Sequence, residues 1–305
     1  MHDTLDDVLI EQVRRDGYGV LAGALTPAEV AEINAEAVRL CRGELGAVRS
    51  SAVRSAAVRS AAGRSSAGRS AAVAGPGDSD DDVLRRYLCV HYPHKISEVA
   101  RRALAHPRIV SVLTRVVGPN VKAMQSMLFI KAEGRPGQAW HQDELFIPTR
   151  DRSLTAVWLA LDDATVENGC LWVLPGSHRR GVLYPDREQQ DPRFDCTSEA
   201  YDFPYTEEDA VPVEVPAGSA VIFNGYLLHR SLPNTGRHGY RRALANHYMS
   251  AESPLAWKVP PGTSPANWDY RDVTLVAGED PYAYRGTVDD SRAYVRPDKD
   301  GGCDR

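Results

Sequence analysis

The first forty residues carry apolar side chains three or four positions apart, which is the spacing of an amphipathic helix. A second helix is predicted to begin after Thr26, because threonine caps helix N-termini and Pro27 and Glu29 follow at the first and third helical positions. This helix should extend to Leu40, and the helical pattern returns over residues 82–117. The apolar positions of the first helix are Leu5, Val8, Leu9 and Val13.

From Val121 onward the pattern becomes that of strands, with short β-branched and aromatic runs separated by Gly, Pro, Asn and Asp turns. Helices followed by about eight strands predict an α+β fold. Its core, residues 121–250, is predicted to be a double-stranded β-helix of the jelly-roll or cupin-like type, flanked by the N-terminal helices. Residues 251–305, rich in Pro, Tyr and Asp, predict an irregular C-terminal wrap, and the whole of 1–305 is predicted to be one domain.

Residues 46–74 interrupt these patterns with an arginine at every fifth position among Ala, Ser and Val. A period of five fits neither a helix face nor a strand face. The segment is therefore predicted to be a disordered low-complexity insertion at the surface, and an anion-binding or nucleic-acid-binding arm is the alternative. The repeated arginines are Arg49, Arg54, Arg59, Arg64 and Arg69.

Composition narrows the classes of partner. The chain has 36 basic and 41 acidic residues and a net charge of −5, which argues against a general nucleic-acid or anionic-membrane binder and favours a small molecule. No apolar run approaches the roughly 18 residues of a membrane span, and the start, Met1–Asp7, is acidic, so a cytoplasmic location is expected. The cysteines are odd in number and scattered, which predicts reduced thiols. They are Cys41, Cys89, Cys170, Cys196 and Cys303.

His141 and Asp143 are two positions apart, so at a strand end their side chains should emerge on the same side. His229 lies far along the chain and can join them only through folding; a histidine satisfied within the core is the alternative for this residue. Two imidazoles and one carboxylate form the facial ligand set of mononuclear Fe(II) oxygenases, which leaves coordination positions open for a co-substrate and O₂. The sequence therefore predicts an iron site at these residues.

A basic residue on the following strand suggests what occupies the open coordination positions of the metal, because it could bind an anionic co-substrate. Arg241 and Arg242 are adjacent, so on a strand one of them points inward. A buried guanidinium needs an anion and matches the geometry of a carboxylate. The expected anion is the distal carboxylate of 2-oxoglutarate.

From about Ser97 to Met249 the chain resembles the phytanoyl-CoA dioxygenase-like Fe(II)/2-oxoglutarate oxygenases. The resemblance rests on WHQDELFIPTR, VWLALDDATVENGCLWVLPGSH and HRSLPNTGRHGYRRALANHY. It implies Fe(II), 2-oxoglutarate and O₂ as metal and co-substrates. The implied iron ligands are His141, Asp143 and His229, and the implied co-substrate residues are Arg241, Met127, Gln142 and Trp158.

Some of these assignments have structural alternatives. Met127 and Trp158 lie in apolar strands where core packing is the default, and Gln142 could face solvent. Because halogenating relatives have Ala or Gly at the carboxylate position, Asp143 favours hydroxylation. The two interpretations of Arg241 and Arg242 are resolved in favour of Arg241 by the resemblance alone.

Two segments are candidates for the walls of a substrate site. Tyr87, His91, His94 and Lys95 could form a rim that meets an anionic substrate, or they could be ordinary surface residues. The acidic, aromatic connection over residues 184–209 is long for a jelly roll, and such connections are usually lids or disordered. It is predicted to cover the active site if it is ordered.

The leading functional hypothesis is a 2-oxoglutarate-dependent dioxygenase that hydroxylates an unactivated C–H bond of a small molecule and releases succinate and CO₂. The substrate could be a secondary metabolite, an amino-acid derivative or an acyl thioester, and the oligomeric state is open. A metal-dependent hydrolase or isomerase is an alternative that would need a general base near the metal. A non-catalytic metal-binding jelly roll is another, and it predicts a disrupted ligand set or a blocked pocket.

Overall fold

The computed structural model describes residues 2–46, 75, 77–195, 198–236, 239–253, 273–286 and 292–297. The predictions for the arginine repeat of residues 46–74, Gly46 apart, and for Cys196 and Cys303 lie outside these residues. Cys41, Cys89 and Cys170 are buried free thiols, as predicted.

Within the described residues, six α-helices form, and five of them lie N-terminal to Val121. Thr26 caps the second helix as predicted: its hydroxyl accepts from the backbone N–H of Glu29, and the Glu29 carboxylate accepts from the backbone N–H of Thr26. None of the described helices has the length and apolar character needed to cross a membrane. The helices are α1 (His2–Asp16), α2 (Pro27–Arg42), α3 (Asp80–Leu84), α4 (Glu98–Leu104), α5 (Pro107–Val116) and α6 (Asp143–Phe146).

Fourteen β-strands also form within the described residues. They are β1 (Tyr18–Leu21), β2 (Tyr87–His91), β3 (Val121–Lys131), β4 (Gln138–His141), β5 (Thr155–Ala160), β6 (Leu171–Val173), β7 (Asp186–Glu188), β8 (Ser198–Ala200), β9 (Val211–Val213), β10 (Ala220–Asn224), β11 (His229–Ser231), β12 (Arg241–Ser250), β13 (Thr274–Ala277) and β14 (Tyr294–Pro297).

The strands form two main antiparallel sheets, so the α+β prediction is confirmed at this level. The larger sheet has the order β1-β10-β5-β12-β3-β2-β14, with β13 also paired to β3. The smaller sheet has the order β4-β11-β6-β9, and β7 and β8 form a separate hairpin within the long connection. The C-terminal strands β13 and β14 lie where the sequence pattern predicts irregular structure. Strand β2 also departs from the prediction, because it falls within residues 82–117, which were predicted to be helical.

Both faces of the larger sheet are covered, and alternation along each strand decides which residues face which layer. On β5, Val157 and Leu159 belong to the core cluster shared with the helices. Ala156, Trp158 and Ala160 belong to the cluster shared with the smaller sheet. Every second residue along a strand of the larger sheet therefore points into the space between the sheets.

Two residues of the predicted substrate rim are buried instead. Tyr87 is 5% exposed and His94 is 4% exposed. The Nδ1 atom of His94 is 2.6 Å from the Ser126 hydroxyl. Strand β2 pairs with β3 on one side and β14 on the other, and this pairing draws the segment into the sheet. The rim interpretation is therefore wrong for Tyr87 and His94.

His94 should make folding stability depend on pH. Burial, and secondarily the charges of Lys95 and Arg101, lower the pKa of His94 from 6.5 to about 4. Between these values the unfolded chain binds more protons than the folded chain, so stability falls as the pH decreases from 6.5 to 4. We expect a contribution of up to about 3 kcal/mol over this range.

Chemical denaturation of the wild type and of His94→Gln at several pH values measures this contribution. The variant should lose less stability over the acid range than the wild type does. Parallel stability curves for the two proteins would show that His94 does not titrate as expected.

Candidate metal centre

His141, Asp143 and His229 come together at one end of the space between the sheets. His141 ends β4, Asp143 begins α6, and the pairing of β4 with β11 sets His229 directly opposite His141. One ligand atom from each residue lies within 4.8 Å of the others. The Oδ1 atom of Asp143 is 3.7 Å from Nε2 of His141 and 3.6 Å from Nε2 of His229. The three predicted ligands are therefore brought together.

The tautomers of the two histidines indicate what this group can hold. Nδ1 of His141 is 2.8 Å from the Ala139 carbonyl oxygen, and Nδ1 of His229 is 3.0 Å from that of Leu227. A carbonyl can only accept, so each Nδ1 carries the hydrogen and each neutral ring presents a lone pair at Nε2. Two lone pairs and a carboxylate oxygen thus converge without a donor between them. Such a set fits a metal cation.

Burial shapes the protonation of these groups. It lowers the pKa of His141 to about 4, with nearby His229 acting in the same direction, so the imidazole is neutral at physiological pH. Burial by itself raises the pKa of Asp143, but the neighbouring histidines His229 and His247 outweigh it and hold the pKa well below its usual value. His141 therefore offers a neutral imidazole and Asp143 a carboxylate, the protonation states that metal ligation requires.

A cavity of about 380 Å³ adjoins these residues. Met127 and Trp158 are part of its wall. Gln142 is not: its amide N–H groups donate to the carbonyl oxygens of Val182 and Tyr226, and its Oε1 accepts from the backbone of Tyr184. The side chain of Gln142 is 2% exposed, so it does not face solvent either.

Arg241 also lines this cavity, and it is 3% exposed. Its Nε donates to the carbonyl oxygen of Gly169 at 3.0 Å, and its guanidinium lies 5.4 Å from the ring centre of Trp158. Among the described residues, no carboxylate pairs with it. Burial lowers the pKa of Arg241 to about 10, which leaves it a buried cation that lacks an anion. Arg242 points the other way and pairs with Asp162 at 2.6 Å.

Lys131 and Ser231 lie beside Arg241 and were not predicted from the sequence. Lys131 is opposite Arg241 in the pairing of β3 with β12. Its Nζ donates to the Ser231 hydroxyl at 3.0 Å and to the Leu232 carbonyl oxygen at 2.7 Å. Burial, together with the charge of Arg241, lowers the pKa of Lys131 well below its usual value. Ser231 lines the cavity together with Arg241, so both side chains can offer hydrogen-bond donors to it.

Aromatic residues also line the cavity. His91 and Tyr294 stack with ring centres 4.3 Å apart and planes 8° from parallel. Phe146, in α6, is 46% exposed although it lies next to the candidate ligands. Ser198, at the start of β8, also contributes to the lining, so the long connection over residues 184–209 reaches the cavity.

His247 is the main functional candidate that was not predicted from the sequence. It is 5% exposed and lines the cavity. Its Nε2 is 3.1 Å from Oδ2 of Asp143, and its Nδ1 is 3.3 Å from Nε2 of Gln125. His247 is therefore in contact with one of the candidate metal ligands.

Comparison with known proteins places this geometry in context. Residues 13–243 match the family model described as phytanoyl-CoA dioxygenase. The chain is 34% identical over 180 residues to phytanoyl-CoA dioxygenase 1 of Oryza sativa subsp. japonica, covering 56% of this chain and 62% of the relative. It is 32% identical over 185 residues to phytanoyl-CoA dioxygenase domain-containing protein 1 of Danio rerio, covering 58% and 60%. The aligned segments thus span about six tenths of each relative.

Solved structures show a similar fold. A non-heme monooxygenase, ThoJ, superposes with a TM-score of 0.61 at 23% identity, covering 94% of this chain and 88% of that one. The non-heme alpha ketoglutarate dependent epimerase SnoN from nogalamycin biosynthesis gives a TM-score of 0.60 at 21% identity and covers 96% of both chains. The likeness extends over nearly the whole of this chain.

Proposed function

The chain belongs to the phytanoyl-CoA dioxygenase family, and on this premise we propose that it is an Fe(II)- and 2-oxoglutarate-dependent oxygenase that hydroxylates a small molecule. One observation carries the proposal. Three metal-binding acceptor atoms converge beside a cavity whose wall also contains a buried arginine, Arg241, with no carboxylate partner in the described part of the chain. A metal cation would bind the converging acceptor atoms, and the carboxylate of a co-substrate would pair with the buried arginine.

His141, Asp143 and His229 would hold the iron and leave open the positions that the co-substrate and O₂ require. When bound, Fe(II) supplies the redox chemistry that couples O₂ and the decarboxylation of 2-oxoglutarate to oxidation of a C–H bond. The carbonyl groups of Ala139 and Leu227 fix the ring orientation of the two histidines. This hydrogen bonding keeps each Nε2 lone pair directed at the metal position.

Arg241 would bind the distal carboxylate of 2-oxoglutarate through its planar fork. The Ser231 hydroxyl accepts from Lys131 and from the backbone N–H of Gln138, so its own hydrogen remains available to the same carboxylate. Trp158 and Met127 border the cavity and help to exclude water from the co-substrate. The chain's contribution is therefore orientation of the co-substrate and a dry cavity.

We further propose that eight strands form a double-stranded β-helix within a single oxygenase domain. Along the chain, β3, β5, β10 and β12 enter the larger sheet, whereas β4, β6, β9 and β11 form the smaller one. Their orders, β10-β5-β12-β3 and β4-β11-β6-β9, are those expected of two facing four-stranded halves of a jelly roll. The candidate ligands lie on β4, at the start of α6 and on β11.

A hydrolase or isomerase on the same ligands is less well supported, because it needs a general base with a free lone pair near the metal. Both ring nitrogens of His247 are engaged, one with Asp143 and one with Gln125. Glu144 is buried outside the cavity lining and accepts from Thr149. A non-catalytic jelly roll predicts a disrupted ligand set or a blocked cavity, and neither feature is present among the described residues.

The cavity wall favours an apolar or ring-containing portion of the substrate near the metal. Phe146, His91 and Tyr294 offer aromatic surface. Charged side chains in the described lining are limited to Asp143, Arg230 and Arg241. Arg230 is paired with Glu207, and its guanidinium lies over the rings of Trp140 and Trp172. A substrate group that reaches the metal is therefore expected to be uncharged.

The test is succinate formation from 2-oxoglutarate by the purified protein with Fe(II), O₂ and a panel of uncharged ring-containing compounds. We expect turnover that stops when the metal is removed by a chelator and returns when Fe(II), but not Zn²⁺, is added back. Metal binding without succinate formation across the panel would favour the non-catalytic alternative.

A further inference from the structure

Asp143 uses its two carboxylate oxygens differently. Oδ1 faces Nε2 of His141 and of His229, at 3.7 Å and 3.6 Å. Oδ2 lies 3.1 Å from Nε2 of His247. The carboxylate is therefore divided between the candidate metal position and a third histidine, His247.

The donors and acceptors around His247 are matched. A carboxylate oxygen can only accept, so Nε2 of His247 carries the hydrogen in this contact. In a neutral ring Nδ1 is then an acceptor, and Nε2 of Gln125 is 3.3 Å from it. The same amide nitrogen is 3.9 Å from Sδ of Met127, so its two N–H groups have two partners. Rotating the amide would turn its oxygen toward the Nδ1 lone pair, an unfavourable contact.

We propose that His247 and Gln125 are positioning residues that hold Asp143 so that only Oδ1 is offered to the metal. The proposal rests on the metal site of the proposed function. His247 is not among the residues whose ligand atoms converge within 4.8 Å, which separates its role from that of a fourth ligand. With Oδ2 engaged, Asp143 cannot turn to offer both oxygens and thereby occupy a position needed by 2-oxoglutarate or O₂.

Gln125 and His247 are well placed for this role because they lie on neighbouring strands of the larger sheet. Gln125 on β3 is directly opposite His247 on β12. Both side chains are buried, at 8% and 5% exposure, so water does not compete strongly for their hydrogen bonds. The sheet thus carries the supporting hydrogen bonds, whereas the ligand itself lies at the start of the short helix α6.

The experiment measures the affinity of the full-length protein for Mn(II), and then of the Mn(II)-loaded protein for 2-oxoglutarate, by calorimetry without turnover. Loss of an outer hydrogen-bond partner typically weakens metal binding about 10- to 100-fold, and this is the effect expected for His247→Leu. His247→Gln keeps an N–H at a similar reach and should recover most of the affinity. Gln125→Leu leaves the donor in place but unsupported, so it should have a smaller effect than His247→Leu.

His94→Leu is the matched control, since it makes the same change at a buried histidine that bonds to Ser126 and does not line the cavity. It should bind Mn(II) as the wild type does. Should His247→Leu fail to fold, His247→Gln and Gln125→Leu still decide the matter. Wild-type affinity in both His247→Leu and Gln125→Leu, or no recovery in a folded His247→Gln, would overturn the positioning role and leave the proposed function intact. Failure of the wild type itself to bind Mn(II) would overturn both.

Discussion

Replacing Asp143 by alanine is expected to abolish metal-dependent succinate formation and to weaken metal binding by more than about 100-fold, which exceeds the loss typical of an outer partner. The carboxylate is the single anion among the three candidate ligands. Without it, two neutral imidazoles would face a divalent cation alone. The variant also leaves the N–H of His247 without its acceptor.

Thermal unfolding with and without Mn(II) measures this effect independently of turnover. Binding to the folded state alone should stabilise the wild type by about 2.7 kcal/mol when the metal is at 100 times its dissociation constant. Asp143→Ala should gain almost nothing at the same concentration. Glu144→Gln is the control, because Glu144 is the adjacent buried carboxylate, bonds to Thr149 and does not line the cavity. An Asp143→Ala protein that keeps the metal-induced stabilisation would exclude Asp143 as a ligand.

The sequence predicted local features well where a few adjacent residues determine them. The capping box at Thr26 and Glu29 is one case, since its hydrogen bonds join residues three apart. The segment around Tyr87 shows the opposite. Its neighbours allowed a helix, but pairing with β3 and β14 made it a strand, and those partners lie far away in the chain.

The metal site was predictable as a set of residue types but not as a geometry. His229 meets His141 because β11 pairs with β4 in one particular register. No local pattern encodes that pairing, because it depends on which sheets close over one another. The convergence of the three ligand atoms is therefore a result of the tertiary structure.

Alternation along a strand could have corrected the prediction for Gln142 and identified His247, which was not predicted from the sequence. The argument that sets His141 and Asp143 on one side of the chain also sets Gln142 on the other, and its amide indeed bonds to backbone groups away from the cavity. Counting in steps of two from Arg241 along β12 leads through Ala245 to His247, and all three line the cavity. His247 could thus have been found by extending the pattern that identified Arg241.

Replacing Arg241 by methionine is expected to weaken 2-oxoglutarate binding to the Mn(II)-loaded protein. Truncating one partner of a buried charge pair typically costs about 2–5 kcal/mol, which corresponds to roughly 30- to 4,000-fold in affinity. Arg242→Met is a control from the adjacent position. Its guanidinium pairs with Asp162 away from the cavity, so the loss should be limited to folding stability, on the order of 1 kcal/mol.

The unliganded protein gives Arg241→Met a second and opposite readout. Arg241 is 3% exposed and has no carboxylate partner among the described residues, so the wild type bears the cost of a buried cation until its anion binds. Removing that cation should leave the unliganded variant as stable as the wild type or more stable in denaturant titrations. A residue that only supports the fold would lose stability with and without 2-oxoglutarate. Loss of 2-oxoglutarate affinity together with undiminished unliganded stability therefore identifies Arg241 as the carboxylate-binding residue, whereas unchanged affinity would exclude it.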